Sequence, residues 1–408
     1  MDSGIYPADK GVGNYVFWLA LAAFVGAIEG GSIAGLLPLM SAEFGVSLGQ
    51  AGLVVLGYSL AYAAGPPLLA VLLGGVGRRR ILAWSEFGLA VCALLLAVMP
   101  WFEGVVIVRT ILAVAAGTFT GTAMATAAML APPGQRGRYM QVISLGQAIA
   151  ALAGVPLMAL IAANFGWRID YFALAAMAGL AALALYRRLP RGMPGDTQTM
   201  RDRVRVLRNP GVGSALLSTL LFMMGSAPFM VYIGALMAAV GIGYELLPLV
   251  LFAGGVGAVA CGTVAGRMSD TLGSVRTGMI GGVAVLGVMG SYLLLPLLPQ
   301  GWVLPALLAI SVVQGFVGRT YNIAVTSHMA QLAPTAVPVA ISLNMSTFSI
   351  GMAVAAAVGG FVVDTFGAML LPWIGIPLVI GSLLIWRTVP EGEPNIVPGP
   401  GPDPDHRV

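Results

Sequence analysis

Three charged residues sit where a chain this apolar should carry none. Glu29 lies in the middle of VGAIEGGSIAG, with no other charge nearby in sequence. Arg109 lies about five residues into one apolar run, and Arg319 about two-thirds of the way through another. A carboxylate moved between water and an apolar interior can take up and release a proton. At a membrane-helix centre an acidic residue costs about 2.5–3.5 kcal/mol, so a functional reading is the default. The alternative is a neutral Glu29 hydrogen-bonded to a neighbouring helix. An arginine cannot discharge, so each one needs a carboxylate, carbonyl oxygens or water. Arg109 could snorkel outward to Glu103. Ala113, Ala116 and Thr120 share its helix face and leave room for a cavity or a close neighbour. Arg319 could hold an anionic substrate, pair with Glu29, or bind carbonyls at an inner gate. At 100° per residue, Ser311, Gln314, Gly315, Gly318, Arg319, Asn322 and Thr326 fall within an arc of roughly 140°. Such a stripe should face a water-filled path or another helix.

The elements that must position these groups follow from composition. Of 408 residues, 58% are hydrophobic and 9% charged, against about 25% charged in soluble domains. Twelve apolar runs occupy 15–40, 51–75, 81–99, 104–130, 139–163, 169–186, 211–238, 247–266, 277–298, 302–327, 338–363 and 367–386. A helix needs about 20 apolar residues to cross about 30 Å of hydrocarbon. The expected fold is an all-α polytopic membrane protein with twelve transmembrane helices. Residues 1–14 form a short N-terminal segment, 15–186 one six-helix bundle, 187–209 a linker and 211–386 a second bundle. The tail, 387–408, is rich in Pro, Gly and acid and is expected to be disordered. Cys92 and Cys261 lie inside apolar runs and read as small core residues, not as a disulfide or metal site.

With the N-terminus in the cytoplasm, the inner segments hold 17 of the 20 basic residues and the outer loops only Arg168. The positive-inside rule therefore places both termini in the cytoplasm. The two halves also look alike. GGVGRRR (74–80) and GRMSDTLGSVR (266–276) each join two apolar runs, with Gly77 and Gly273 separated by 196 residues. SLGQAIAALAG at 144 and SLNMSTFSIGM at 342 are offset by 198, and the FG pairs at 165–166 and 366–367 by 201. Three markers in order at a near-constant offset imply an internal repeat of six helices. An even number gives the halves parallel topology, related by pseudo-symmetry, with a site between them.

These residues resemble the major facilitator superfamily over nearly the whole chain. Gly266, Asp270, Gly273 and Arg276 are similar to its loop signature. The N-terminal copy keeps Gly77, Arg78 and Arg79 but has Gly74 where the signature has Asp. Arg109 followed by Gly117 and Gly121 resembles the arginine motif of proton-coupled members. GLLPLMSAEFGVS, PPGQRGR and GVPL followed by FGWR resemble the twelve-span drug:proton antiporter group, closest to its sugar-efflux and purine-efflux-like branch. Gly154 and Pro156 match that group's fifth-span motif, while Met158 replaces a glycine. The resemblance implies proton-coupled efflux by alternating access across a bacterial inner membrane, with Arg109 tuning a proton site. The alternatives are an importer or uniporter of a metabolite, and a non-transporting receptor or assembly subunit.

Asp270 has a conformational reading. A carboxylate at a helix end can cap the positive N-terminus of another helix, worth about 0.3–1 kcal/mol when exposed. By pseudo-symmetry its target is the start of the fifth span, near Arg136 and Arg138, latching the cytoplasmic side. The alternative is a solvated loop charge. Glu86 can reach back toward Arg78–Arg80. Tyr58, Tyr62, Gln147, Phe229, Tyr232 and Asn344, with Glu29, Arg319 and Asn322, are candidate cavity liners, though core packing is open for each aromatic and amide. No phosphate-binding loop, HExxH, paired-cysteine site or nucleophile with a base is present, so neither an enzyme nor a cofactor is expected. The expected partners are a small-molecule substrate, protons and membrane lipid, without nucleic acid, in a protein working as a monomer.

Overall fold

The computed structural model describes residues 12–132, 135–195, 205–334 and 336–390. The disordered-tail reading of 391–408 and the middle of the linker, 196–204, lie outside the described residues. Twelve helices are long and apolar enough to cross a membrane. They are α1 (Val12–Phe44), α2 (Leu48–Ala70), α3 (Arg78–Val98), α4 (Phe102–Leu130), α5 (Arg136–Phe165), α6 (Trp167–Arg188), α7 (Gly211–Val231), α8 (Tyr244–Gly262), α9 (Ser274–Leu297), α10 (Gln300–Leu332), α11 (Val337–Phe366) and α12 (Ala368–Trp386). No strand occurs among the described residues. The first six helices pack mainly on one another, as do the last six, giving two bundles.

The repeat is visible in the backbone. Gly166 (φ 87°, ψ 150°) and Gly367 (φ 86°, ψ 158°), the two FG glycines, end α5 and α11 in the same left-handed conformation. Only glycine enters that region without a Cβ clash. Within the second bundle, α8 and α10 meet backbone to backbone. A Cβ on Gly257 would lie 2.8 Å from the Val312 carbonyl carbon, and one on Gly315 would lie 2.9 Å from that of Gly254.

The bundles touch along two seams, α2 against α11 and α5 against α8. The α5–α8 seam runs past a π-helical turn, Ala150–Gly154. Pro156 lacks the N–H that would bond the Leu152 carbonyl, and its ring crowds that carbonyl, so the wider turn relieves the strain. Gly255 packs there, where a Cβ would sit 2.8 Å from Leu152 Cα. Gly262 and Gly266 share the face of Gly255, since 7 and 11 residues are close to whole numbers of turns. A Cβ on either would meet nothing within 4 Å. Along this seam the bundles therefore meet at the end distal to the termini and part at the end that carries them.

A carboxylate clasp reinforces the distal closure. Asp364, near the end of α11, accepts hydrogen bonds from Ser47 Oγ at 2.5 Å and from the Gly49 N–H at 3.0 Å. Ser47 is the N-cap of α2, and its hydroxyl accepts from the Gln50 N–H at 3.0 Å. The anion thus neutralises the N-terminus of a helix in the other bundle, a contact worth about 1 kcal/mol. Tyr244 adds a second bridge by donating to the Gly35 carbonyl of α1. Asp364→Ala should shift the bundles toward distal opening by about fivefold. Spin labels at exposed Ala163 and Ala239 should then report a larger long-distance population by pulsed dipolar spectroscopy. An unchanged distance distribution would remove the clasp from the closing energetics.

Candidate functional site: a sealed ion pair beside an open cleft

Glu29 and Arg109 are brought together inside the first bundle, with 0% and 1% of their surfaces exposed. Arg109 Nη2 lies 3.0 Å from Glu29 Oε1 and 3.4 Å from the Glu29 main-chain carbonyl, to which it donates. Its Nη1 donates to the Tyr171 hydroxyl of α6. The guanidinium carbon stands 5.0 Å from the centroid of the Tyr58 ring, a cation–π contact worth about 2 kcal/mol when desolvated. Arg109 therefore does not snorkel to Glu103, and Glu29 pairs with Arg109 instead of Arg319.

Small residues make this geometry possible. Gly57, beside Tyr58, lets α2 approach Val106 and Thr110 of α4. Gly117 likewise accepts Tyr62 and Pro66, where a Cβ would sit 2.6 Å from Pro66 Cγ. On α1, Gly31 faces Val155 so closely that a Cβ would lie 2.6 Å from its Cγ2. Gly30 leaves space for the Tyr58 hydroxyl, 3.6 Å from where its Cβ would be. Tyr58 and Tyr62 stack with centroids 5.9 Å apart and are half-buried.

Chemically, the pair is neutral as a unit and cut off from water. Arg109 is held by Tyr171, the Glu29 main-chain carbonyl and the Tyr58 ring as well as by the Glu29 carboxylate.

The other sequence-derived site residues are scattered. Arg319 is exposed, with Asn322 half-buried beside it on α10 and Gln147 half-buried on α5. Phe229, Tyr232 and Asn344 do not line an accessible cavity. Phe229 packs against Tyr292 at 5.2 Å between centroids, Tyr232 donates to the Ala356 carbonyl at 2.6 Å, and Asn344 accepts from Thr219 Oγ1 at 3.0 Å. Each is 1–2% exposed, because packing within the second bundle and along the closed seam consumes these faces. Asp270 is exposed and forms no ion pair among the described residues. Its latch onto the start of α5 is unmade, since the bundles part at that end and leave Arg136 and Arg138 exposed too. Gly273 (φ 83°) turns the chain there, Gly266 faces open space and Arg276 is exposed. Arg78 Nε donates to the Pro194 carbonyl at 3.2 Å, and Arg79 donates to the Tyr186 carbonyl with its charge over that ring. These two arginines thus tie the start of α3 to α6 and the linker. Glu86 does not reach them. It is 0% exposed and neither carboxyl oxygen has a partner among the described residues.

Sequence reasoning missed Tyr171 and Asp364. Tyr171 is 62 residues from Arg109 and carries no local signature. Asp364 precedes the second FG marker by two residues, a placement that only its partners across the seam make informative.

Residues 19–212 and 215–403 match the family model of the Major Facilitator Superfamily. The chain belongs to that superfamily. Its members are transporters, so the protein is a transporter and not an enzyme. The superfamily member is 28% identical over 394 residues to the chloramphenicol resistance protein of Streptomyces lividans, covering 92% of this chain and 96% of that one. It is 26% identical over 372 residues to the inner membrane transport protein YdhP of Escherichia coli, covering 90% and 93%. It is 26% identical over 382 residues to the uncharacterized MFS-type transporter YbcL of Bacillus subtilis, covering 92% and 96%. Among solved structures, a bacterial homolog to the human lysosomal transporter Spinster, in an inward-facing and unoccupied conformation, superposes with a TM-score of 0.68. That match covers 94% of this chain and 96% of the other at 14% identity, and it shows the shared fold.

Proposed function

We propose that this transporter exports a small organic solute across the bacterial inner membrane in exchange for protons, with both termini in the cytoplasm. The observation that carries this reading is the sealed Glu29–Arg109 pair, which joins a protonatable group to a permanent cation inside the first bundle. In the cycle, the parted end admits solute from the cytoplasm, and rocking of the bundles about the two seams would open the distal end. Glu29 takes a proton on that side and gives it up on the other. The arginine distribution supports cytoplasmic termini, and the printed name of the Streptomyces relative supports export. A membrane potential supplies about 2.3 kcal/mol per charge per 100 mV. One proton could then sustain roughly a 50-fold substrate gradient, at about 1.36 kcal/mol per tenfold.

The test is proton flux into proteoliposomes of defined orientation that contain a pH-sensitive dye. Chloramphenicol, sugars, nucleosides and amphipathic organic ions are added in turn. Solute-triggered proton movement opposite to labelled-solute flux is the expected result. Solute flux without proton movement would make the protein a facilitator.

A further inference from the structure

Arg319 is an exposed charge deep within its helix with no ion pair among the described residues. Glu29, Glu86, Arg109 and Arg319 are the charged side chains deepest within their helices. The first three are buried, and Glu29 and Arg109 cancel one another. Arg319 is exposed and makes no ion pair or hydrogen bond among the described residues.

Its direction follows from the packing of α10. Thr320 meets Cys261 of α8 at 3.2 Å, Tyr321 meets Ser218 of α7 at 2.9 Å, and Gly315 meets the α8 backbone. A Cβ on Gly318 would meet nothing within 4 Å. The face that carries Gly318, Arg319, Asn322 and Thr326 thus borders open space, on a helix that packs against both α8 and α11, the helices of this bundle that form the main seams with the other. A guanidinium at mid-membrane depth that faced lipid would be strongly disfavoured; facing a wet cleft, it is stable.

We propose that the cleft selects an organic anion, whose carboxylate, sulfonate or phenolate is held by Arg319 with Asn322 beside it. The planar guanidinium offers two parallel N–H donors to such a group. Half-buried Tyr58 and Tyr62 supply aromatic surface on the opposite bundle. This inference rests on the transport reading above. Export of a monoanion against an incoming proton moves two positive charges inward per cycle, whereas export of a neutral solute moves one.

The experiment uses three solutes of one shape and fixed charge: 2-naphthalenesulfonate, 2-naphthalenesulfonamide and (2-naphthylmethyl)trimethylammonium. Binding to the purified full chain in nanodiscs and proton flux in proteoliposomes are both measured. The sulfonate should bind at least tenfold more tightly than the other two. Arg319→Gln should erase that preference and Arg319→Lys should retain part of it, with both variants monodisperse on size exclusion. Sulfonate binding no tighter than that of the sulfonamide, absence of both included, overturns the anion assignment. So does a preference that survives Arg319→Gln. Proton-coupled movement of the neutral or cationic compound would leave the export reading standing while removing the anion. Arg319-dependent sulfonate binding without proton flux would do the reverse.

Discussion

Glu29→Gln is expected to abolish solute-driven proton flux while preserving exchange of labelled solute across the membrane. The amide has nearly the same shape as a protonated carboxyl and cannot gain or lose a proton near neutral pH. Arg109 keeps its donor contacts to the Glu29 main-chain carbonyl and to Tyr171, and its position over Tyr58, so the variant resembles the protonated step of the cycle. The gradient of about 50-fold per 100 mV that a neutral solute could reach in the parent protein should collapse toward unity. Full proton-driven accumulation by Glu29→Gln would exclude this residue as the coupling group.

Arg109→Leu should produce the largest loss of stability of any single change in the first bundle. It removes the cation, the bond to Tyr171 and the cation–π contact together, and leaves a carboxyl fully enclosed in an apolar core. Breaking a buried pair by deleting one partner costs about 3–5 kcal/mol, whereas replacing both partners by neutral groups is often tolerated. The double variant Glu29→Gln, Arg109→Leu should therefore recover most of the loss, a coupling of at least about 2 kcal/mol. Thermal unfolding in detergent, followed by intrinsic fluorescence, measures both. Equal destabilisation of the single and double variants would mean that the cost comes from lost packing and not from an orphaned carboxyl.

The apolar runs located every one of the twelve spans, yet their ends moved. The run at 15–40 became a helix from Val12 to Phe44, and that at 302–327 one from Gln300 to Leu332. Hydropathy measures burial in lipid, and a helix continues past the hydrocarbon wherever its backbone remains bonded. The run at 211–238 failed differently. It reads as one span, but the helix breaks at Tyr232 (ψ 26°) and resumes at Ile233. Pro228, inside the last turn before the break, removes one backbone donor, and the Tyr232 hydroxyl finds the Ala356 carbonyl across the packing interface. Neither effect changes apolar content.

The candidate site divides along the same line. That Glu29, Arg109 and Arg319 lie at membrane depth, and that Arg319 shares a polar stripe, follows from position and a 3.6-residue period alone. Those are local properties, determined by the order of residues on one helix. Which arginine meets Glu29 is different. It depends on how α1, α2, α4 and α6 are rotated and how closely they approach, which glycines such as Gly31, Gly57 and Gly117 allow but do not announce. The same holds for the buried Phe229 and Asn344, and for Asp364 capping a helix whose N-cap, Ser47, lies 317 residues away. Composition and periodicity decide that the chain spans a membrane twelve times and carries charges inside it. Packing alone decides that one of those charges is sealed against its partner and another left open to the cleft, because side-chain pairing across helices is a property of their relative rotation and spacing.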